Sequence, residues 1–179
     1  MAILNIVKYP DPCLRKKCRR VEVVDDGIRR LLEDMAMTMY AANGVGLAAC
    51  QVGRDIRVIV IDVGHGLLKL VNPQIIKAQG VSKMEEGCLS VPDIYVKVNR
   101  KKRLTVSALD SNGNPLMLKA DGGLLAHAFG QEIDHLNGKL IIDYLPFYKK
   151  IFPNKRLTWC MLKKNMAENK RRIAHEGMP

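Results

Sequence analysis

Residues 131–135 read Gln-Glu-Ile-Asp-His, which is close to the helical His-Glu-x-x-His pattern that holds a zinc or iron ion beside a general base. Positions four apart share one helical face, so residues 131 and 135 can point at one ion, with Glu132 at the edge of that face. Gln131 stands where the pattern has its first His. Taken alone, such a segment is more often explained by packing of the Ile and the His.

Two other segments carry polar groups suited to catalysis. Residues 86–90 read Glu-Gly-Cys-Leu-Ser, and Cys88 can offer a thiolate to a metal or be a small buried apolar residue. Residues 44–51 read Gly-Val-Gly-Leu-Ala-Ala-Cys-Gln, whose small residues permit close approach of a substrate or form a tight turn. The Gln51 amide can donate a hydrogen bond to a developing oxyanion.

The elements that must position these residues follow from periodicity and turn residues. The sequence predicts a helix from Asp25 or Asp26 to about Tyr40 and a second helix over residues 124–136. Strands are predicted at 55–63, at 68–71 before Asn72-Pro73, and at 140–144; a hairpin of 104–109 with 115–120 turns at Asn112-Gly113. Strands in hairpins with few helices indicate an α+β fold with mostly antiparallel sheets around the 124–136 helix.

Length and charge limit the classes of function. The 179 residues suit one domain, and the formal charge of +11 is concentrated at the end of the chain. Residues 148–179 hold nine Lys and Arg against two Glu and include a helix predicted over 154–174. This basic tail is either a solvated surface or a contact with a polyanion such as RNA.

The cysteines and the apolar segments bear on compartment. Five Cys at 13, 18, 50, 88 and 160 suggest no disulfide framework. No signal segment or run of about 20 apolar residues occurs, so we expect a reducing cytoplasm and no membrane partner.

Together and in this order, the three motifs resemble those of the peptide deformylase family, which removes the formyl group from the amino terminus of new bacterial proteins. Further matching segments, spread over nearly the whole chain, are Tyr-Pro-Asp-Pro at 9–12, Leu-Val-Asn-Pro at 70–73, Leu-Ser-Val-Pro at 89–92 and Asp-His-Leu-Asn-Gly at 134–138. The resemblance implies an α+β metal-dependent hydrolase acting on formyl-Met peptides. It also implies Fe²⁺ as the cofactor, with Ni²⁺, Co²⁺ or Zn²⁺ as substitutes.

The resemblance also assigns roles to residues. It implies Cys88 and His135 as metal ligands, with Gln131 at the third position, and Glu132 as general base and acid. Gln51 and the backbone N–H of Leu89 would stabilise the oxyanion, and Gly46 would contact the substrate backbone. We expect an unbranched apolar substrate side chain, with Ile94, Phe129 and Ile133 as pocket residues. The basic tail would contact the ribosome, and no DNA partner is expected.

Two residues depart from the family pattern. Cys50 replaces a common Pro, where packing is favoured over a role as an oxidisable thiol. Gln131 replaces an imidazole with a neutral oxygen, a weaker ligand for iron or zinc. His127 lies two turns before His135, about 12 Å along the helix, so we expect it to be structural or solvent-facing and not a metal ligand.

Gln131 leaves a second interpretation open: a metal-poor homologue that binds peptides or the ribosome without hydrolysis. A generic zinc protease is disfavoured, because it needs the missing His and leaves Gln51 and Cys88 unexplained.

Overall fold

The computed structural model describes residues 2–145. The predicted basic tail, residues 148–179, lies outside the described residues. Helix α1 spans Asp26–Ala41, and helix α2 spans Gly123–Leu136. Seven strands separate into two antiparallel sheets: β1 Gly46–Ala48, β2 Val58–Ile61, β3 Leu68–Gln79, β4 Ser82–Cys88, β5 Val91–Arg100, β6 Arg103–Leu109 and β7 Pro115–Asp121. The α+β prediction is confirmed.

The larger sheet has the order β1-β2-β3-β6-β7; α1 packs against its β1-β2 end, and α2 packs against β1 and β2 and also against β7. Strand β2 is buried at every position because its two faces meet different helices. Val58 and Val60 pack in the cluster with α1, whereas Ile59 and Ile61 pack in the cluster with α2. Alternation of side chains along the strand thus joins two cores through one strand.

Helix α1 begins where the sequence predicts. The Asp25 side chain accepts a hydrogen bond from the Ile28 N–H at 2.9 Å, which satisfies one of the unpaired donors of the first turn. Leu32, Met35 and Met39 are fully buried on the predicted apolar face. The helix ends one residue beyond the predicted Tyr40.

Strand β3 differs from the prediction, which ends it before Asn72-Pro73. The strand continues to Gln79, because its pairing with β6 shifts register between Val71 and Gln74 and so accommodates Pro73. Asn72 adopts φ 52° and uses its amide to bond both the N–H and the C=O of Val21. The irregularity at Asn72-Pro73 is therefore a β-bulge stabilised by the Asn72 side chain.

The smaller sheet is the β4-β5 hairpin, which the sequence reading missed; it carries Cys88 at the end of β4. The hairpin of β6 and β7 and helix α2 are confirmed. The predicted strand at 140–144 is wrong: Ile141–Tyr144 is a 3₁₀ helix. Its Asp143 carboxylate accepts from the Leu140 N–H at 2.9 Å, which favours a turn over extended pairing.

Candidate active site

The three motifs meet between α2, the β4-β5 hairpin and a 3₁₀ helix spanning Ala49–Val52. Cys88 Sγ lies 3.2 Å from His135 Nε2, and both side chains are buried. Gln51 Nε2 lies 3.7 Å from the same sulfur. Residues separated by 47 positions in the chain thus form one thiol–imidazole pair.

Gln51 is fixed at both ends of its amide. Its Oε1 accepts from the Ala48 N–H at 2.8 Å, and its Nε2 donates to Ser90 Oγ at 3.1 Å. These bonds fix which end of the amide faces Cys88 and join the small-residue motif to the hairpin.

Glu132 is buried beside the pair, and its Oε2 has no hydrogen-bond partner. Burial raises the pKa of Glu132 to about 8; the nearby Arg100 guanidinium partly opposes this effect, and the carboxylates of Glu86 and Asp134 add to it. A Cβ at residue 46 would lie 2.6 Å from Glu132 Oε1, so only glycine at 46 allows this carboxyl its position.

The thiol and the imidazole are both held in their neutral forms. Burial raises the pKa of Cys88 to about 12, although the backbone N–H groups of Ser90 and Val91 favour the thiolate. Burial lowers the pKa of His135 to about 4. His135 Nδ1 is buried without a hydrogen-bond partner. A cation at Cys88 Sγ and His135 Nε2 would stabilise the thiolate, because metal ligands bind deprotonated.

The Gln131 amide lies beside the segment that carries Cys88. Its Nε2 donates to the Gly87 carbonyl at 3.1 Å, next to Cys88 in the chain. This bond occupies the nitrogen end of the amide and leaves Oε1 as the end able to bind a cation. Within residues 2–145, no three His, Cys, Asp or Glu side chains converge as a metal site. The donors present are one thiol, one imidazole and one amide, which fit a metal with a weakened third ligand.

A buried ion-pair network ties the hairpin to α2. Arg100 donates to Glu86 through Nε at 2.6 Å and through Nη2 at 2.8 Å, and its Nη1 donates to Asp134 at 2.8 Å. His127 Nδ1 lies 2.7 Å from Glu86 and its Nε2 lies 3.2 Å from Ser82 Oγ. His127 is therefore structural, as expected, and Arg100 was missed because no local pattern in the sequence pairs it with Glu86.

Arg100 reaches Asp134 by lying across α2 at Gly130. A Cβ at residue 130 would stand 2.7 Å from Arg100 Cδ. Glycine inside a helix costs about 1 kcal/mol relative to alanine, and here its absent side chain makes room for the guanidinium.

An open cavity of about 520 Å³ leads to the site. Gly46, Cys88, Leu89, Ile94, Gln131 and Glu132 are among the residues that line it. Phe129 and Ile133 do not line it; they point to the opposite side of α2 and pack in the core. Helical periodicity already separates these positions in the sequence. Residues 129 and 133 fall on a different face of α2 from the cavity residues Leu124, Ala128, Gln131 and Glu132.

Residues 3–150 match the family model described as polypeptide deformylase. The chain belongs to the polypeptide deformylase family. Peptide deformylases are metal-dependent hydrolases that remove the formyl group from new polypeptides.

Individual relatives agree with the family model. A peptide deformylase of Syntrophobacter fumaroxidans is 48% identical over 161 residues, covering 87% of this chain and 94% of the relative. The crystal structure of a deformylase from Legionella pneumophila has a TM-score of 0.81 at 40% identity, covering 99% of this chain and 100% of that one. That of Ehrlichia chaffeensis in complex with actinonin has a TM-score of 0.82 at 40% identity, covering 87% and 96%.

Proposed function

We propose that this chain removes the formyl group from formyl-Met at the amino terminus of new proteins, using a metal ion held by Cys88, His135 and the Gln131 amide oxygen. The observation that carries the proposal is the buried Cys88–His135 pair, 3.2 Å apart, beside the unpaired Glu132 carboxyl. Such a substrate implies the cytoplasm, where new chains emerge.

The donor set suits a borderline or soft divalent ion, since a thiolate and an imidazole select against Mg²⁺ and Ca²⁺. We propose Fe²⁺, with Ni²⁺, Co²⁺ or Zn²⁺ as substitutes. When bound, the ion supplies a Lewis acid that makes water acidic enough to react near neutral pH. The amide of Gln131 binds such ions more weakly than an imidazole, so we expect metal to be present at less than one ion per chain.

The protein groups divide the rest of the chemistry. Glu132 accepts the proton of the attacking water and then delivers it to the leaving amine, for which a carboxyl with a pKa near 8 is suited. Gln51 Nε2 and the Leu89 N–H stabilise the oxyanion formed from the formyl oxygen. The backbone of Gly46, on the cavity wall, contacts the substrate backbone.

The cavity favours an apolar side chain at the substrate's first residue. Met84, Ile94, Leu124 and Ala128 supply apolar walls, whereas Phe129 and Ile133 contribute only to the core behind them. We expect formyl-Met peptides to be hydrolysed faster than formyl-Asp peptides. Equal turnover of the two would contradict this specificity.

The deciding assay measures amine release from formyl-Met-Ala-Ser by protein purified anaerobically and supplied with iron or nickel. Turnover that depends on added metal and disappears in Glu132→Gln supports the proposal. Turnover at the parent rate in the Glu132→Gln protein would exclude Glu132 as the general base. No metal-dependent turnover by the parent chain, with metal bound, would contradict the proposal.

Gln131 favours a second candidate, a metal-poor homologue that binds formyl peptides or the ribosome without hydrolysing them. Metal content after anaerobic purification separates the two. A chain that binds no iron or nickel, retains peptide binding and shows no turnover would support this alternative.

We also propose that the basic tail contacts the ribosome. Lys and Arg of the tail that meet phosphates would release counterions, so binding should weaken steeply with salt. Full-length protein should pellet with bacterial ribosomes at low salt and not at high salt. Truncation after Trp159 should abolish pelleting with ribosomes. It should leave hydrolysis of a short formyl peptide unchanged, because the proposed site residues precede Trp159. Equal pelleting of the truncated and untruncated proteins would exclude the tail as the ribosome contact.

A further inference from the structure

Three of the five cysteines meet behind the candidate active site. Cys13 lies in a 3₁₀ helix spanning Pro12–Arg15, Cys18 follows it, and Cys50 lies in the 3₁₀ helix at Ala49–Val52. Cys18 and Cys50 pack in the same apolar cluster, with 4% and 3% of their surface exposed. None of the three lines the cavity, and the proposed hydrolysis uses none of them.

The end of α2 holds Cys18 and Cys50 beside each other. The Cys18 N–H donates to the Leu136 carbonyl at 2.9 Å, and Cys50 Sγ lies 3.4 Å from the His135 carbonyl oxygen. Neighbouring carbonyls of one helical turn therefore fix both residues, and the two side chains pack in one apolar cluster. The Cys50 thiol has one hydrogen to share between the Cys18 sulfur and the His135 carbonyl.

The surroundings make the two sulfurs unequal. The hydrogen bond from Cys50 lowers the pKa of the Cys18 thiol, and the Arg57 guanidinium acts in the same direction, whereas burial and Asp55 oppose it. Cys18 is thus the better nucleophile, because the thiolate is the reactive form.

We propose that Cys18 and Cys50 are an oxidisable dithiol, which a small peroxide converts to an intramolecular disulfide. The Cys18 thiolate attacks one peroxide oxygen; the O–O bond breaks, and the hydroxide released takes the former Cys18 proton to form water. Cys50 then attacks the sulfenic sulfur of Cys18; the S–O bond breaks, and the hydroxyl leaves as a second water with the Cys50 proton. Two thiols lose two electrons and two protons, and the peroxide accepts them.

Burial limits which oxidants can reach this pair. A peroxide is about the size of two water molecules, whereas attack on glutathione disulfide requires a thiol open to a bulky partner. Because the pair is buried, we expect it to react with hydrogen peroxide at least about tenfold faster than with glutathione disulfide at equal concentration. This oxidation does not depend on the proposed hydrolysis, because neither sulfur belongs to its site.

The disulfide would tie the segment before α1 to the motif that carries Gln51. Cys50 directly precedes Gln51, and its thiol would no longer be available to the His135 carbonyl. Oxidation of this pair would therefore act on the backbone at Gln51 and His135, which the proposed reaction uses. It would do so from the side remote from the cavity.

The test maps disulfides in the full chain. Reduced protein is exposed to hydrogen peroxide for increasing times, blocked with N-ethylmaleimide, digested without reductant and analysed by mass spectrometry. We expect the main cross-link to join the peptides that contain Cys18 and Cys50, and both residues to lose maleimide labelling in parallel. Labelling retained at Cys18 and Cys50 while Cys13 or Cys160 is oxidised would overturn the proposal, as would a main link from Cys13 to Cys50.

Cys13→Ala is the matched variant, because Cys13 Sγ faces the Cys50 carbonyl, at 3.8 Å. The 18–50 link should survive in Cys13→Ala and disappear in Cys18→Ala. Equally fast oxidation by glutathione disulfide would also contradict the proposal. The map of the parent chain decides the pairing even if a variant does not fold.

Discussion

The two sides of the candidate active site differ in how completely their buried polar groups are bonded. The paired side, made of Glu86, Arg100 and His127, is joined by hydrogen bonds and ion pairs. The open side, made of Glu132 and His135, contains the two buried side-chain atoms that lack a partner within residues 2–145. Unpaired buried polar atoms are costly, so native proteins keep them where a ligand or a proton is to be bound.

This difference separates support from chemistry. The paired side holds its geometry before any ligand arrives, and the open side retains, in Glu132 Oε2, an acceptor that a substrate or water would use. Substitutions on the paired side should therefore reduce stability, and substitutions on the open side should change activity with little loss of stability.

Removing the Glu132 carboxylate should give the largest effect. We expect Glu132→Gln to lower turnover about 10²–10⁴-fold, the usual contribution of a general base, while metal binding changes little. Turnover of formyl-Met-Ala-Ser and metal content are the measurements, and Glu22→Gln, at an exposed glutamate outside the cavity, is the control. A Glu132→Gln protein that hydrolyses the peptide at the parent rate would remove Glu132 from the mechanism.

The paired side is most sensitive at Arg100. Arg100→Ala leaves the buried Glu86 without its guanidinium, and breaking such a pair costs about 3–5 kcal/mol of unfolding free energy. Urea denaturation measures this loss. Arg103→Ala breaks the exposed pair with Asp121 and should cost about 1 kcal/mol or less. If the two variants lose equal stability, the Arg100 network is not the support described above.

Restoring an imidazole at residue 131 should add a ligand on the open side. We expect Gln131→His to raise metal affinity and turnover by at least about tenfold, since changes even around a ligand commonly have that effect. Competition with a chromophoric chelator and the deformylation assay provide the two readouts. Gln79→His, at the exposed end of β3, controls for a surface imidazole. A Gln131→His chain no better than the parent would place Gln131 outside the ligand set.

The smallest effect is a pH dependence of stability in metal-free protein. Folding raises the pKa of Glu132 from 4.5 to about 8, so at pH 6.5–8 the folded chain keeps a proton that the unfolded chain has lost. Unfolding free energy should therefore fall with rising pH, by at most about 1.4 kcal/mol per pH unit. His135 acts in the opposite direction but below pH 6.5, because folding lowers its pKa from 6.5 to about 4.

Urea denaturation between pH 6.5 and 8, with a chelator present, checks this dependence. The fall should be absent in Glu132→Gln and retained in Glu22→Gln. The same slope in parent and Glu132→Gln would assign the proton to another group.

The fold could be predicted from the sequence where the signal is local. Helix α1, helix α2 and the β6-β7 hairpin follow from capping, periodicity and the Asn112-Gly113 turn. The hairpin of β4 and β5 was missed because its turn at Leu89-Ser90 has none of the usual hairpin residues. Residues 140–144 were misassigned because apolar residues in a short run fit either a strand or a packed turn.

The site shows the same limit. The motifs locate Cys88, Glu132 and His135, and spacing places the last two near one helical face. The pairing of Arg100 with Glu86 and the convergence of Cys18 with Cys50 depend on tertiary packing between separate elements. The spacing of these residues along the chain does not indicate that they meet.

The passage of Arg100 over Gly130 restricts the order in which these two positions can change during evolution. A side chain cannot be gained at 130 while the arginine occupies that space, because the first added carbon would meet Arg100 Cδ at 2.7 Å. Losing the arginine first leaves Glu86 and Asp134 without their shared counter-charge. Descendants of this chain should therefore keep both residues or replace both. Gly130, on the helix α2, would then be inherited together with Arg100, on the strand β5.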